Sequence, residues 1–596
     1  MTRFWQLLPG LTLIAVLASG PLTAAESSLG QPAPDFRLSD SAGAPYGLAD
    51  VKDARLVAVI FLGTECPLAR LYAPRLNALA AEYAERGVRL IGIDANVQDT
   101  AEEIAAYVRE HELSFPVLRD AGNVVADQFQ ASRTPEVFLL DEKRVVRYRG
   151  RIDGQYQPGV QKTSNPRRDL ALAIDELLAG QEVSQPQVEA VGCFIGRSEE
   201  PEELAVGAIT YSQHIAAIFQ KHCVECHREG EIAPFALSTY EDALGWGATI
   251  REVVDQGRMP PWFADPAVGH FQNDPRLSDE EKQQIRQWVT DGCPQGDPKD
   301  LPAPRVFAKG WNIPEPDLVL KMSERPFRVP AEGVVDYQHF VIDPGFKEDK
   351  WMIACEARPG NRQVVHHILV FLQQPGGELE LLRGSLLAAY APGSPPRVTD
   401  PGMAKHIPAG SKIIFQMHYT PNGKPQEDIS TLGLKFCDAG DVKQVAESGW
   451  VINLAFAIPP GVEDYKITSK HEFADDRLLL GLTPHMHMRG KSFRYEARYP
   501  DGTRETLLNV PHWDFNWQID YLLAEPKLMP KGTVLFCEAH YDNSPKSPTN
   551  PDPTKWVRFG EQTWDEMMIG WFTTATLPGR LPSVQPAAET KTGDAQ

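Results

Sequence analysis

Apolar residues along the chain fall into three successive patterns. From about residue 26 to 195, LVAVIFLGTEC (56–66) and VRLIGIDAN (88–96) read as buried strands, whereas LARLYAPRLNALAAEYAERG (68–87) and DTAEEIAAYVREHEL (99–113) carry helical spacing. Strands alternating with helices predict a parallel or mixed α/β sheet. From about 205 to 300, ITYSQHIAAIFQKH (209–222) and DEEKQQIRQWVTDG (279–292) predict a small all-α unit. From about 305 to 580, prolines, glycines and short alternating apolar runs take over, which predicts all-β sandwiches. GWVINLAFAIPPGVE (449–463) reads as the opening of a second sandwich, dividing this region into 305–444 and 445–580. The expected architecture is therefore multidomain: α/β, then all-α, then two β-sandwiches.

A chain of 596 residues with 42% hydrophobic content is too long for a single core, in agreement with several domains. The net charge of -21 leaves no basic patch and argues against a nucleic-acid partner. Arg3, the apolar run LTLIAVLA (11–18), Pro21 and the small residues Thr23, Ala24 and Ala25 have the three-part build of a secretory signal peptide, residues 1–25. No later stretch is apolar enough for a membrane helix. The mature chain is expected to be periplasmic or secreted, without a membrane span.

Eight cysteines are too sparse for a disulfide scaffold. Cys66 ends a predicted strand and starts a helix, where the helix dipole lowers a thiol pKa. Thr134-Pro135, before the strand EVFLL, reads as a cis-proline turn facing it. With these features the domain at about 26–195 resembles thioredoxin-fold redoxins of the peroxiredoxin-related group. A dithiol oxidoreductase of that kind places a second cysteine at position 69, here Ala69, and a peroxiredoxin a threonine at position 63, here Gly63. Cys193 is the nearby thiol that could resolve Cys66. A functional pair at Cys66 and Cys193 stands beside a domain kept for scaffolding or docking.

Cys223-Val224-Glu225-Cys226-His227 is the c-type haem attachment pattern: two thiols for thioether bonds and a histidine placed under the iron. A bare C-x-x-C could instead be a zinc site or a disulfide. GRMPPWF (257–263) offers Met259 as a sixth ligand, the alternative being a core methionine. This segment resembles a cytochrome c domain, which implies one covalently bound haem and one-electron transfer.

Histidines mark the last region. His366-His367 interrupt VVHHILVF (364–371), His418 lies in IIFQMHY (413–419), and His485 and His487 lie in PHMHM (484–488). Alternate residues of a strand share a face, so His485 and His487 can converge on one metal. Adjacent His366 and His367 can do so only across a bulge or turn. Singly, each histidine reads as well as a structural residue; His471, His512 and His540 are read that way.

With VVHH, YAPG (390–393), QMHY, HMHM and the terminal DEM in order, the region resembles the copper type II, ascorbate-dependent monooxygenases, the family of peptidylglycine α-hydroxylating and dopamine β-monooxygenases. The resemblance implies paired jelly rolls and two copper ions. His366, His367 and His418 would hold an electron-storing copper, with Gln416 nearby. His485, His487 and Met567 would hold the copper where dioxygen and substrate meet, Met568 being the neighbouring candidate. Thr483, Ile569 and Trp571 stand where peptide-amidating members bind a carboxylate, which points to a less polar small molecule. Cys537 matches a family half-cystine whose partner position is Met568, so that disulfide is expected to be missing; Cys293, Cys355 and Cys437 have no assigned partner. The expected function is hydroxylation of an organic substrate by dioxygen, with haem electrons, drawn from a periplasmic donor, replacing ascorbate. The rivals are a non-catalytic copper-handling or electron-transfer protein and a thiol peroxidase using Cys66.

Overall fold

The computed structural model describes residues 28–162, 166–197, 207–307, 310–376, 385–391 and 396–579. The expected leader, residues 1–25, lies outside them, as do Pro392 and Gly393 of YAPG. Among the described residues no helix is long and apolar enough to cross a membrane.

The first domain is built on a seven-stranded sheet in the order Pro45–Gly47, Arg37–Asp40, Val117–Arg119, Val88–Asp94, Leu56–Leu62, Glu136–Leu140, Val146–Gly150. Leu56–Leu62 is buried along its whole length because apolar side chains cover it on both faces. It runs parallel to Val88–Asp94 and antiparallel to Glu136–Leu140, so the sheet is mixed. The helices Pro67–Tyr83 and Asp169–Leu178 cover one face.

The next segment is helical: Ala216–His222, Tyr240–Leu244, Gly247–Asp255 and Asp279–Thr290 pack around Tyr211, Phe219, Trp246 and Trp288. Ser278 caps the last of these by accepting from the Glu281 N–H, with Glu281 reaching back. Residues 262–272 leave the helical unit and join the last β lobe. Trp262 enters the core of the last β lobe, and Asp265 N–H donates to Asn509 O at 2.8 Å.

The remaining described residues form two β lobes. The first lobe has a four-stranded sheet, Gln338–Ile342, Lys412–Tyr419, Val365–Gln373, Ser385–Tyr390; the second has Tyr465–Glu472, Val534–Tyr541, Gly490–Arg498, Arg504–Val510. Both sheets pack on one nine-stranded sheet, so apolar residues from two layers interdigitate in each lobe. That sheet is continuous through the division expected near residue 445, because Met403–Ile407 pairs in parallel with Gln444–Ile452. Phe371, Leu386, Ile414, Met567, Ile569 and Trp571 form a separate apolar cluster between the lobes.

Candidate functional site

Cys66 is the N-cap of the helix Pro67–Tyr83 and is 1% exposed. Its Sγ donates to the Thr134 carbonyl at 2.9 Å, and Thr134-Pro135 is cis. The second thiol arrives from a distance. Cys193–Phe194 pairs antiparallel with Arg133–Thr134, placing Cys193 opposite Thr134. Gly192 permits this approach: its φ is +154°, and a Cβ there would lie 1.9 Å from Thr134 O. Burial pushes the Cys66 thiol up, but hydrogen bonding with Cys193 and Thr134 outweighs it and holds the pKa at about 6. The same contact with Cys66, then burial, raises the Cys193 pKa. Ala69, at the place of a helical second cysteine, is fully buried. A Cβ at Gly63 would lie 2.6 Å from Asn96 Nδ2, so a threonine there would require the Asn96 side chain to shift.

Cys223, Cys226 and His227 share one turn, in which the N–H groups of Cys226 and His227 both donate to Cys223 O. His227 Nδ1 meets Phe235 O at 3.1 Å, which leaves Nε2 as the ring nitrogen that could ligate a metal. Met259 follows the helix Gly247–Asp255, its N–H donating to Val253 O, and precedes a cis Pro260.

The densest polar cluster lies between the β lobes. The register of Val365–Gln373 against Lys412–Tyr419 shifts between Val365 and His367, a bulge that turns His366 to the side of His367 and His418. His366 Nδ1 stands 3.1 Å from His367 Nδ1 and 3.2 Å from His418 Nδ1, and ligand atoms of the three lie within 4.8 Å of one another. His485 ends its strand Arg477–His485, Met486 turns into the core, and the rings of His485 and His487 come within 5.3 Å. Tyr337 joins the groups, its ring centroid 4.9 Å from that of His418 and 6.3 Å from that of His487. Phe515 stacks on His366 at 5.6 Å and meets His487 at 6.2 Å.

Burial disfavours the charged imidazoles, holding His366 and His485 at about 4 and His487 at about 3. The rings are therefore neutral, the state in which imidazole binds metal. The Nε2 atoms of His366, His367 and His487 are buried with no hydrogen-bond partner. Because a buried polar atom without a partner is costly, three in one cluster fit a metal-binding group. His485 Nδ1 pairs with Gln518 Oε1 at 2.6 Å, and His487 Nδ1 lies 3.3 Å from Asp565 O. Met567 belongs to the interlobe cluster, whereas Met568 lies in the core of the second lobe. Gln416 Nε2 meets His339 Nε2 at 3.1 Å, on the paired strand.

A cavity of about 540 Å³ opens beside His366 and His418 and is walled by Phe515, Trp556 and Trp564. A smaller one of about 30 Å³ holds His367, His485, Thr483, Asp520 and Trp571. Thr483 Oγ1 donates to Asp520 Oδ1, and Arg397 Nη2 lies 3.3 Å from Asp520 Oδ2, so this wall is more polar than Thr483 and Trp571 alone imply. Sequence reasoning missed Tyr337, Phe515, Gln518 and Glu566. Glu566 alone had a signal, its place in the DEM triplet. Cys293, Cys355, Cys437 and Cys537 are free thiols. His471 packs on Phe473 and Phe572, and His540 pairs with Asp464.

Comparison with known proteins concerns the first domain. The model of the AhpC/TSA family matches residues 29–149. The thiol-disulfide oxidoreductase ResA of Bacillus cereus is 32% identical over 114 residues, which cover 19% of this chain and 64% of that protein, so the match spans less than two thirds of its length. The protein of that name from Halalkalibacterium halodurans is 31% identical over 146 residues, 24% of this chain and 81% of that one. A solved structure of a hypothetical protein from Sinorhizobium meliloti is 34% identical and covers 28% of this chain and 93% of that one, with a TM-score of 0.27.

Proposed function

The chain belongs, through residues 29–149, to the AhpC/TSA family, and from that premise we propose an exported oxidoreductase in which a thiol domain is joined to a c-type haem and a copper-dependent monooxygenase. One observation carries the monooxygenase reading. Five buried or half-buried neutral imidazoles gather between the lobes, three of them with a ring nitrogen that has no partner.

His366, His367 and His418 would hold one copper, and His485, His487 and Met567 a second. Copper there supplies single-electron storage and dioxygen activation, and a haem on Cys223, Cys226 and His227, with Met259 the candidate sixth ligand, supplies electrons one at a time. The surrounding residues set the geometry. Gln518 and the Asp565 carbonyl each engage an Nδ1, which orients the rings and frees Nε2. Glu566 fixes the loop by accepting from the N–H groups of His487 and Arg489. Tyr337 and Phe515 pack on the imidazoles, the Tyr337 ring contacting those of His418 and His487 and the Phe515 ring those of His366 and His487.

The test is copper content followed by turnover under isotopic dioxygen with a panel of small apolar and aromatic substrates. Two coppers per chain and label in a hydroxylated product are expected. Absence of copper binding, or of label from any substrate, overturns the reading.

The family match over residues 29–149 favours a second reading for that domain, thiol redox chemistry at Cys66. The specific observation is the Cys66–Cys193 contact with its lowered Cys66 pKa. Reduction of a reporter disulfide or of peroxide that disappears in Cys66→Ser, with copper absent, would support it. Gly63 makes the disulfide the better substrate class.

A further inference from the structure

The helical unit meets the first β lobe through a charged seam. Glu231 pairs with Arg362 of the lobe and, at 2.9 Å, with Arg228 of its own unit, while Arg305 Nη2 reaches Glu225 at 2.5 Å. Inside the seam is a cavity of about 260 Å³ lined by Cys226, Glu231, Arg362 and Tyr390 among others. Tyr390 also lines the small cavity that contains His367 and His485. It ends the strand Ser385–Tyr390, directly opposite Ile368, the residue after His367. One aromatic residue thus faces the haem-attachment cysteine on one side and the histidine cluster on the other.

We propose that this seam is the electron-entry interface of the histidine centre and that Tyr390 is its positioning residue, bridging the cavity at Cys226, where a haem would be attached, and the cavity at His367. The inference rests on the monooxygenase reading and adds to it the route by which electrons arrive. Cys223, Cys226 and His227 would hold the haem and His366, His367 and His418 the copper ion, and the pair would supply a one-electron exchange, the iron going from ferrous to ferric as the copper goes from cupric to cuprous. No bond is made or broken, and a one-electron reductant restores the haem. The seam suits such a step because its ion pairs, Glu231–Arg362 among them, tie the two domains together beside the cavity that Cys226 and Tyr390 share.

The experiment uses the full-length, haem-containing protein loaded with cupric ion, mixed without oxygen with substoichiometric dithionite. Haem reoxidation is followed by its visible spectrum and cupric loss by paramagnetic resonance. In the unaltered protein both change together, at a rate independent of protein concentration. Tyr390→Ala slows the transfer by at least about tenfold, the scale on which a displaced donor and acceptor lose rate, with haem spectrum and copper content retained. Tyr390→Phe, which keeps the ring, stays within about twofold. Glu231→Arg sets like charges against Arg362 and Arg228 and also slows transfer, which covers the case of a Tyr390→Ala protein that does not fold. Normal transfer in Tyr390→Ala, or in Glu231→Arg when Tyr390→Ala does not fold, overturns the inference and leaves the monooxygenase reading standing. An unaltered protein that binds both groups yet passes no electron between them overturns both.

Discussion

Glu566 is fully buried, where loss of hydration raises its pKa to about 7, yet its two oxygens accept from the N–H groups of His487 at 2.9 Å and Arg489 at 2.6 Å. Each buried donor left without an acceptor costs about 1–3 kcal/mol, so Glu566→Ala is expected to destabilise the second lobe by roughly 2–5 kcal/mol, read by denaturant unfolding of metal-free protein. Glu566→Gln, which keeps an acceptor, costs less, and equal losses in the two would contradict this account. Cys66 carries a different residue-scale expectation. Its folded pKa of about 6 lies below the ordinary thiol value, so the thiolate is the form present above that pH and is lost on acidification through it. Thiolate ultraviolet absorbance should step near pH 6 in the reduced protein, and Cys193→Ala should move the step upward by removing the hydrogen bond. A wild-type step at the ordinary thiol pH would contradict the pairing. Cys66 and the histidines were legible in the sequence because strand ends and H-x-H spacing are local. Tyr337 and Phe515 were not, because each takes its role from contacts made across about 150 residues of chain, and Glu566 showed only its place in the DEM triplet, its partner His487 lying 79 residues away.

Among the elements, the strand Val365–Gln373 shows how backbone irregularity creates chemistry. Regular pairing would send His366 and His367 to opposite faces; one register shift places both with His418. Deleting His366 should restore continuous pairing and remove one ligand of the first group while leaving His485, His487 and Met567 in place. Under the proposed copper assignment, copper content falls from two ions per chain to one, and retention of two would separate the bulge from metal binding. The sequence demanded a bulge if both histidines were to act together, because period-two alternation is rigid. The sheet that runs through both lobes was hidden, because the parallel pairing of Met403 and Ala404 with Gln444 and Val445 is a tertiary choice with no local pattern. The route of residues 262–272 was hidden likewise: PPWF reads as a turn, and only the second lobe explains why Trp262 is buried.

In the whole molecule the thiol pair sits at a domain boundary. Arg133, beside the cis-proline turn, pairs with Glu252 of the helical unit at 2.7 Å and lies over the Phe194 ring at 4.1 Å. Phe194 N–H donates to Thr249 Oγ1 at 3.0 Å, on the same helix Gly247–Asp255. That helix therefore lies against the strand that carries Cys193, and any large disulfide partner must move it or arrive when it is displaced. Both ion-pair partners are 19% exposed, so their attraction is partly screened, and its removal should weaken the contact by about 1 kcal/mol, roughly fivefold in the opening equilibrium. Glu252→Ala is thus expected to speed alkylation of Cys193 about fivefold under conditions in which opening precedes reaction. Lys424→Ala, which removes the Lys424–Glu110 pair linking the thiol domain to the first β lobe, should leave that rate unchanged, because Glu110 ends a helix far in sequence from the Cys193 strand. Equal rates in all three proteins would mean that the helix does not guard the thiols and that reagents reach Cys193 by another path. A selective increase in Glu252→Ala would tie thiol access to docking of the same unit that carries Cys223, Cys226 and His227.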